Sequence, residues 1–285
     1  MQQIRTPKTW FITGTSSGFG RTMTEMLLAR GDRVVATVRT EGPDDLKSRY
    51  AEALTVVRLD VSDSAAVREV VDRAFAESGR IDVVVNNAGF GLFGAAEEVS
   101  DEQIRREIDT NLVGSIAVIR AALPHLRAQG GGRVIQVSSE GGQIAYPNFS
   151  LYHATKWGIE GFVESVALEV AAFGIEFTIA EPGPTKTGFR SGLVMAPAMT
   201  AYANTPSGEM RRARETGSTG AGAMILSGDP EKIARAMIDS VERTPAPKRL
   251  AFGAGTYARI RAALTARLAD LDAGREIAFS TDAVT

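Results

Sequence analysis

The sequence predicts an α/β protein in which helices cover both faces of a doubly wound parallel sheet, in three layers and one domain. Three observations predict it. Short runs rich in Val and Ile alternate with longer amphipathic stretches. Those runs are apolar throughout, as strands covered on both faces must be. A glycine-rich turn joins the first run to the first amphipathic stretch. At 285 residues the chain sits at the upper end of what one hydrophobic core supports, so a single domain over 1–285 is expected.

The elements follow in order. The first run is Thr9-Trp10-Phe11-Ile12-Thr13, and Arg33 to Val38, Leu54 to Leu59, Ile81 to Val85, Arg133 to Val137 and Ile175 to Ala180 repeat the pattern. Between them the spacing predicts helices over Phe19 to Arg30, Ser64 to Ser78, Asp101 to Gln129 and Tyr152 to Phe173. Ser62 and Ser64 stand where a side-chain oxygen caps the second helix. Gly31, Gly79 and Gly174 each follow a helix, where a left-handed residue is wanted. Residues 188–228 are rich in Gly, Ala, Met, Ser and Thr with weak periodicity, and are expected to form a mobile insertion. A helix from near Pro230, a short strand at Arg249 to Phe252, a helix over Thr256 to Leu271 and a loose tail over 272–285 complete the chain. Strand-helix alternation of this kind makes right-handed βαβ units. The order of six such strands suits a Rossmann-type sheet, whose ligand site lies at the carboxyl ends of the strands.

Composition removes several classes of function. The formal net charge is −2 with acids and bases interspersed, so no basic stripe marks a nucleic-acid surface. No cysteine occurs, which excludes disulfides and thiolate metal sites, and His125 and His153 are too few for a histidine-rich metal centre. No long uncharged apolar run is present, and Met1 to Lys8 has no signal-peptide core, so a cytoplasmic protein without a membrane span is expected.

The turn Gly14-Thr15-Ser16-Ser17-Gly18-Phe19-Gly20 has the chemistry of a phosphate cradle. Glycines let the main chain approach a pyrophosphate closely, and the helix amino end offers free N–H groups and a positive dipole. Position gives the motif its weight, because it follows the first buried strand and opens a helix. Enzymes that use NAD place an acid at the end of the second strand to hold the ribose 2′-hydroxyl. That strand ends Ala36-Thr37-Val38-Arg39-Thr40, with no acid. An arginine fork at Arg39 suits a 2′-phosphate instead, so NADP(H) is expected over NAD(H).

Further along, Asn86-Asn87-Ala88-Gly89 follows the fourth strand, Ser139 stands thirteen residues before Tyr152, and Tyr152-His153-Ala154-Thr155-Lys156 opens a helix. With the turn, Asn111 and Pro182-Gly183, these residues resemble the compact branch of the short-chain dehydrogenases/reductases over roughly residues 8 to 190. Within the family, Arg39 and the long insertion look most like the hydroxysteroid and retinol dehydrogenases. The resemblance implies roles. Gly14, Ser16, Ser17, Gly18, Phe19 and Gly20 would cradle the cofactor, Asp60 and Val61 would contact adenine, and Asn87, Ala88 and Gly89 would stabilise the sheet beside it. Pro182, Gly183, Thr185 and Thr187 would meet the nicotinamide end, although Thr185 replaces the family's usual Val or Ile. Asn111, Ser139, Tyr152 and Lys156 would form the catalytic quartet, Asn111 by holding a relay water. The helices over Leu112 to Arg127 and Tyr152 to Phe173 resemble those that pair subunits, so a homodimer or homotetramer is implied.

The residue types suit the chemistry. Tyr152 and Lys156 are four apart on a helix and share a face. A free tyrosine titrates at about pH 10, and a neighbouring ammonium is expected to bring it closer to neutrality. Tyr152 could then donate a proton to a carbonyl as hydride arrives, or take one from an alcohol, with Ser139 bonding the same oxygen. His153 is expected to face away, and His125, Trp157 and Phe162 to be structural. Gln143, Ile144, Tyr146, Pro147 and Phe149 lie between Ser139 and Tyr152, where some should line a substrate pocket. Leu193, Met195, Met199 and Met224 could form an apolar lid. The substrate expected is an apolar small-molecule carbonyl or alcohol. Two other readings compete: a dinucleotide-sensing regulator without turnover, against which all four catalytic positions are filled, and a methyltransferase, which would need neither the Tyr152-Lys156 pair nor Asn87.

Overall fold

The computed structural model describes residues 6–40, 42–217 and 226–283. In chain order the elements are β1 (Thr9–Ile12), α1 (Gly18–Ala29), β2 (Arg33–Val38), α2 (Asp44–Arg49), β3 (Leu54–Arg58), α3 (Ser64–Ser78), β4 (Val83–Asn86), β5 (Leu92–Phe93), α4 (Asp101–Ile108) and α5 (Gly114–Ala128). There follow β6 (Gly132–Val137), α6 (Ser150–Val170), β7 (Ile175–Pro182), β8 (Val194–Met195), α7 (Pro206–Thr216), α8 (Pro230–Ser240), β9 (Arg249–Phe252), α9 (Ala254–Ala273) and α10 (Arg275–Ser280).

Seven strands form one sheet in the order β3-β2-β1-β4-β6-β7-β9, and every pairing in it is parallel. Alternate side chains leave a strand on opposite faces, and the two cores show it. Phe11, Val35, Val84 and Val134 face α3, α5 and α6, burying Val71, Val118, Ile119 and Ile159. Trp10, Ile12, Val34, Val83 and Val85 face α1 and α8, burying Met23, Leu27, Ile233 and Met237. Fully burying one such side chain contributes about 1.5–3 kcal/mol, so the sheet's position between two helix layers is strongly determined. The sheet thus forms the middle of a three-layer Rossmann-type domain, as the buried runs predict.

Several expectations are corrected. The helix expected over 101–129 is broken: α4 and α5 are joined by one π-helical turn at Asp109–Val113. Its cause is tertiary, because the Asn111 amide bonds the backbone of Phe90, 21 residues earlier, instead of pointing to solvent. The cap of α3 is Asp63, whose carboxylate accepts from the amides of Ala65 and Ala66, while the Ser62 hydroxyl bonds Asp60. The region expected as an irregular insertion contains β8 and α7, the latter with Pro206 in its first turn and Gly217 after its end. Within that insertion, 218–225, Met224 included, lie outside the described residues. The expected tail from 272 instead carries the end of α9 and, after a turn at Gly274, α10, with no side chain of α10 buried. Gly31, Gly79 and Gly174 have φ of 86°, 69° and 70°, as expected after a helix. Among the described residues, no helix is long and apolar enough to cross a membrane.

Candidate active site

The carboxyl ends of β1, β4, β6 and β7 open on one cavity of about 460 Å³. Its floor begins at the glycine turn. Gly14 has φ of 71°, and a Cβ there would lie 2.9 Å from the Cα of Ala88. A Cβ on Gly20 would press on the Gly14 carbonyl oxygen and the Asn87 amide, so α1 can start this close to the turn only without one. The Asn87 amide donates to the carbonyls of Thr13 and Gly14 at 2.9 and 3.0 Å, tying the end of β4 to the turn. No side chain caps α1 at Ser17. Its first amides therefore remain to bind an anion, which is what a pyrophosphate requires. The bare turn and the uncapped helix end fit a dinucleotide.

Ser16, Ser17, Gly18 and Phe19 line this end of the cavity, with Asn87, Ala88 and Gly89 opposite. Arg39, just past β2, lines it too, beside Asp60 and Val61 from the loop after β3. Arg58 donates to the Arg39 carbonyl at 3.1 Å, bringing a second guanidinium to the same strand ends. At the other end stand Pro182, Gly183, Thr185 and Thr187. Thr185 donates to the Gly183 carbonyl and the Thr187 hydroxyl accepts from the Phe189 amide, so both hydroxyls are used in shaping the loop.

Tyr152 and Lys156 lie one turn apart at the start of α6, both buried and both on the cavity wall. The Lys156 ammonium is 5.6 Å from the Tyr152 ring centre and donates to the Val137 carbonyl at 3.0 Å. Burial pushes the Lys156 ammonium down to about 8, against the attraction of Glu160 and Glu107. The Tyr152 phenol goes the opposite way from expectation. Burial holds it above the usual tyrosine range, opposed by a hydrogen bond from Ser139, so here Lys156 does not bring it toward neutrality. Ser139, after β6, also accepts from the Gly141 amide at 3.1 Å.

His153 does not face solvent. It is buried, with Nδ1 2.8 Å from the Gly141 carbonyl and Nε2 3.3 Å from the Tyr146 amide. Burial holds the ring below the usual histidine range, so it is neutral, with Nδ1–H donating and Nε2 accepting. It thereby pins Gly141 and Tyr146, in the loop that follows Ser139, against the helix carrying Tyr152. Trp157, expected in the core, is 44% exposed beneath the Arg267 guanidinium, because α6 turns that position outward. Phe162 packs against the core, and His125 stacks on Phe75 and bonds Asp72.

Two of the expected site residues do not line the cavity. Gly20 lies beneath the turn, and Asn111 lies behind Phe90, its amide donating to the Phe90 carbonyl at 2.7 Å and accepting from the Phe90 amide at 3.0 Å. Beyond Tyr152 the cavity is apolar, walled by Phe93, Tyr146, Phe149, Phe189, Leu193 and Met210. Of the loop residues expected there, Tyr146 and Phe149 take part, whereas Gln143 bonds Glu160 and Glu181. Leu193 joins the wall, but Met195 and Met199 are exposed elsewhere. Phe90, Phe93, Arg190, Met210 and Arg214 line the cavity without having been expected. The first two follow Asn87-Ala88-Gly89 closely, and that proximity was a usable signal. Glu107 is also new. It is fully buried, accepts from the Leu92 amide at 3.2 Å, and is pushed by burial up to about 8, with Leu92 and Lys156 opposing. Among the described residues no group of three His, Cys, Asp or Glu side chains could hold a metal ion.

Comparison with known proteins bears on this site. The family profile described as short chain dehydrogenase matches residues 8–196. The chain is 36% identical to oxidoreductase BOA17 of Botryotinia fuckeliana over 248 residues, 86% of this chain and 89% of that one. It is 30% identical to human retinol dehydrogenase 8 over 253 residues, 85% and 80% of the two chains. Among solved structures it superposes on a short-chain dehydrogenase from Streptomyces avermitilis with a TM-score of 0.88 and 36% identity, covering 98% of this chain and all of that one. It also superposes on a 3-ketoacyl-(acyl-carrier-protein) reductase of Brucella melitensis complexed with NADH, with a TM-score of 0.70 and 25% identity over 86% and 96% of the chains. The relatives thus extend past the matched segment to nearly the full length, and they place the chain among the short-chain dehydrogenases, the NAD(P)-dependent oxidoreductases.

Proposed function

We propose that the protein is an NADP(H)-preferring enzyme that interconverts an alcohol and a ketone or aldehyde, with Tyr152 as general acid and base. One placement carries the proposal: Tyr152, Ser139 and Lys156 wall the same cavity that the glycine turn opens. When bound, the nicotinamide dinucleotide supplies or takes the hydride. Gly14, Ser16, Ser17, Gly18, Phe19 and Gly20 form its phosphate cradle. Asp60 and Val61 are set for the adenine, with Asn87, Ala88 and Gly89 beside them. Pro182, Gly183, Thr185 and Thr187 serve the nicotinamide end, and Lys156 its ribose. Arg39 takes the 2′-phosphate, supported by the absence of an acid where β2 ends.

In reduction the Tyr152 hydroxyl donates its proton to the carbonyl oxygen, while Ser139 donates a hydrogen bond to the same atom. Burial keeps the phenol protonated at neutral pH, which suits it to act as the acid. In oxidation the phenol must first lose its proton, and the Tyr152 phenolate oxygen then takes the proton of the alcohol as the hydride leaves. Asn111 acts through the backbone of Phe90, holding the segment that walls the site. The aromatic wall beyond Tyr152 supports an apolar substrate, and the likeness to a protein named retinol dehydrogenase points the same way. We take the protein to be cytoplasmic and to assemble as a homodimer or homotetramer.

Two measurements test the proposal. Titration with NADPH and NADH, followed by nicotinamide fluorescence, is expected to show tighter NADPH binding, and Arg39→Ala to reduce that preference by about tenfold or more. Binding of neither would overturn the enzyme, and tighter NADH binding would overturn the role of Arg39. Tyr152→Phe is expected to lower turnover of a ketone panel by about 100-fold or more while cofactor affinity persists. Undiminished turnover would remove Tyr152 as the acid.

A further inference from the structure

The apolar end of the cavity is not uniformly apolar. Arg190 and Arg214 stand on its wall, each partly shielded from solvent. They are close neighbours: the Arg214 guanidinium donates to the Arg190 carbonyl at 2.8 Å. It also lies 5.8 Å from the ring centre of Phe93, whose other contacts include Phe149, packed in turn against Tyr152. Arg211, one turn earlier on α7, lies over the same ring at 5.5 Å, but the buried carboxylate of Glu98 neutralises it at 2.6 Å. Among the described residues neither Arg190 nor Arg214 has a carboxylate within ion-pair distance. At this end of the cavity the fold therefore supplies an acid to Arg211 and none to Arg190 and Arg214. The Arg214 guanidinium loses hydration on this wall and feels the charge of Arg190, which together hold it below the usual arginine range, and an anion bound beside it relieves both. Planar guanidinium groups hold a carboxylate through paired N–H donors.

We infer that Arg190 and Arg214 form a subsite for a carboxylate on the substrate, so that the compound reduced at Tyr152 is an oxo acid whose apolar middle lies against Phe93, Phe149 and Phe189. This rests on the carbonyl chemistry proposed above and narrows it. The aromatic wall accounts for the apolar body of the substrate, and the arginine pair for one charged end at a fixed distance from the carbonyl.

The test uses 3-benzoylpropionate, 4-benzoylbutyrate and 5-benzoylvalerate, each beside its methyl ester, with NADPH and the full-length protein. The wild type is expected to favour the acid over its ester by about tenfold or more in kcat/KM at one chain length, through KM. Arg214→Met and Arg190→Met should each collapse that ratio toward one, and Arg214→Lys should restore part of it, since it keeps the charge without the fork. Equal handling of acid and ester by the wild type at every length, or an unaltered ratio in both Met variants, overturns the subsite. A fall of more than about tenfold in NADPH affinity in those variants, with the ratio intact, would assign the pair to the cofactor phosphates and overturn it as well. Calorimetric binding of acid and ester to NADPH-loaded Tyr152→Phe separates the two layers. Acid-selective binding without any wild-type turnover would overturn the carbonyl chemistry and leave the subsite standing. Turnover with binding blind to the carboxylate would overturn the subsite alone.

Discussion

Glu107 is a side chain whose chemistry depends wholly on where the fold puts it. In sequence it sits among Arg105, Arg106 and Asp109 and reads as part of a solvated helix face. In the structure it has no exposure, one oxygen accepts from the Leu92 amide, and Oε2 finds no hydrogen-bond partner among the described residues. Its carboxyl is raised from 4.5 to about 8, mainly by burial. Between those values the folded protein keeps a proton that the unfolded chain has released. The stability tied to it is complete below the unfolded value and falls as pH rises to about 8. Glu107→Gln cannot ionise and escapes that loss. Thermal melts at pH 5 and pH 7.5 should show the wild type losing more stability across the interval than Glu107→Gln, by on the order of a few kcal/mol. Equal losses would mean that Glu107 is already ionised when folded. Lys156, lowered from 10.5 to about 8, acts in the next window, adding stability between about 8 and 10.5, so the comparison stays below it. Tyr152, Lys156 and Ser139 were legible because reactive groups at fixed spacing are visible in a string of letters. Glu107, His153, Arg190 and Arg214 were not, because a charged or polar residue on a helix or loop looks the same whether it meets water or a cavity.

At the scale of elements, the turn between β1 and α1 is defined by what it lacks. Gly20 lies under the Gly14 carbonyl, with the Asn87 amide 2.7 Å from where a Cβ would be. Gly20→Ala would push the turn away from Asn87 and away from the phosphate position. NADPH affinity is expected to fall by about tenfold or more, together with a lower melting temperature, because close packing does not yield to an added methyl without displacement. Affinity equal to wild type would show that the turn can relax and that the cradle is not set by this contact. The seven strands of the main sheet were legible because buried parallel strands leave apolar runs, and β9 was found despite its length, whereas the two-residue β5 and β8 and the short α2 leave no such run. The break between α4 and α5 was not, since only Gly114 at its end could hint at it and its cause is a tertiary bond to Phe90. For α7 the end signals were present at Thr205-Pro206 and Gly217. Its arginine-rich stretch, however, has little apolar periodicity, because only Met210, Ala213 and Arg214 of it reach the cavity wall and no face of it enters the main cores.

The whole molecule sets the last expectation. The sheet is covered on both faces by α1, α3, α5, α6 and α8, yet α6 also has an outward side. Trp157, Gly161 and Leu168 fall on one stripe of it, and Leu168 is 79% exposed. At Gly161 nothing lies within 4 Å of a Cβ position, which leaves a flat place where a second helix could approach. Phe173, just past the helix, is a further exposed aromatic, held by the Arg127 guanidinium at the end of α5. Apolar side chains lined along a helix of this length are best covered by a like helix, and a two-fold axis lets one stripe cover another. Leu168→Glu would place two carboxylates against each other across that axis. Light scattering is expected to find the wild type as a dimer or tetramer and the variant shifted to a smaller species at the same concentration. Because Leu168 points away from the cavity wall, NADPH affinity should survive the shift. A monomeric wild type, or an assembly indifferent to the new charge, would mean that the outward face of α6 is not where subunits meet.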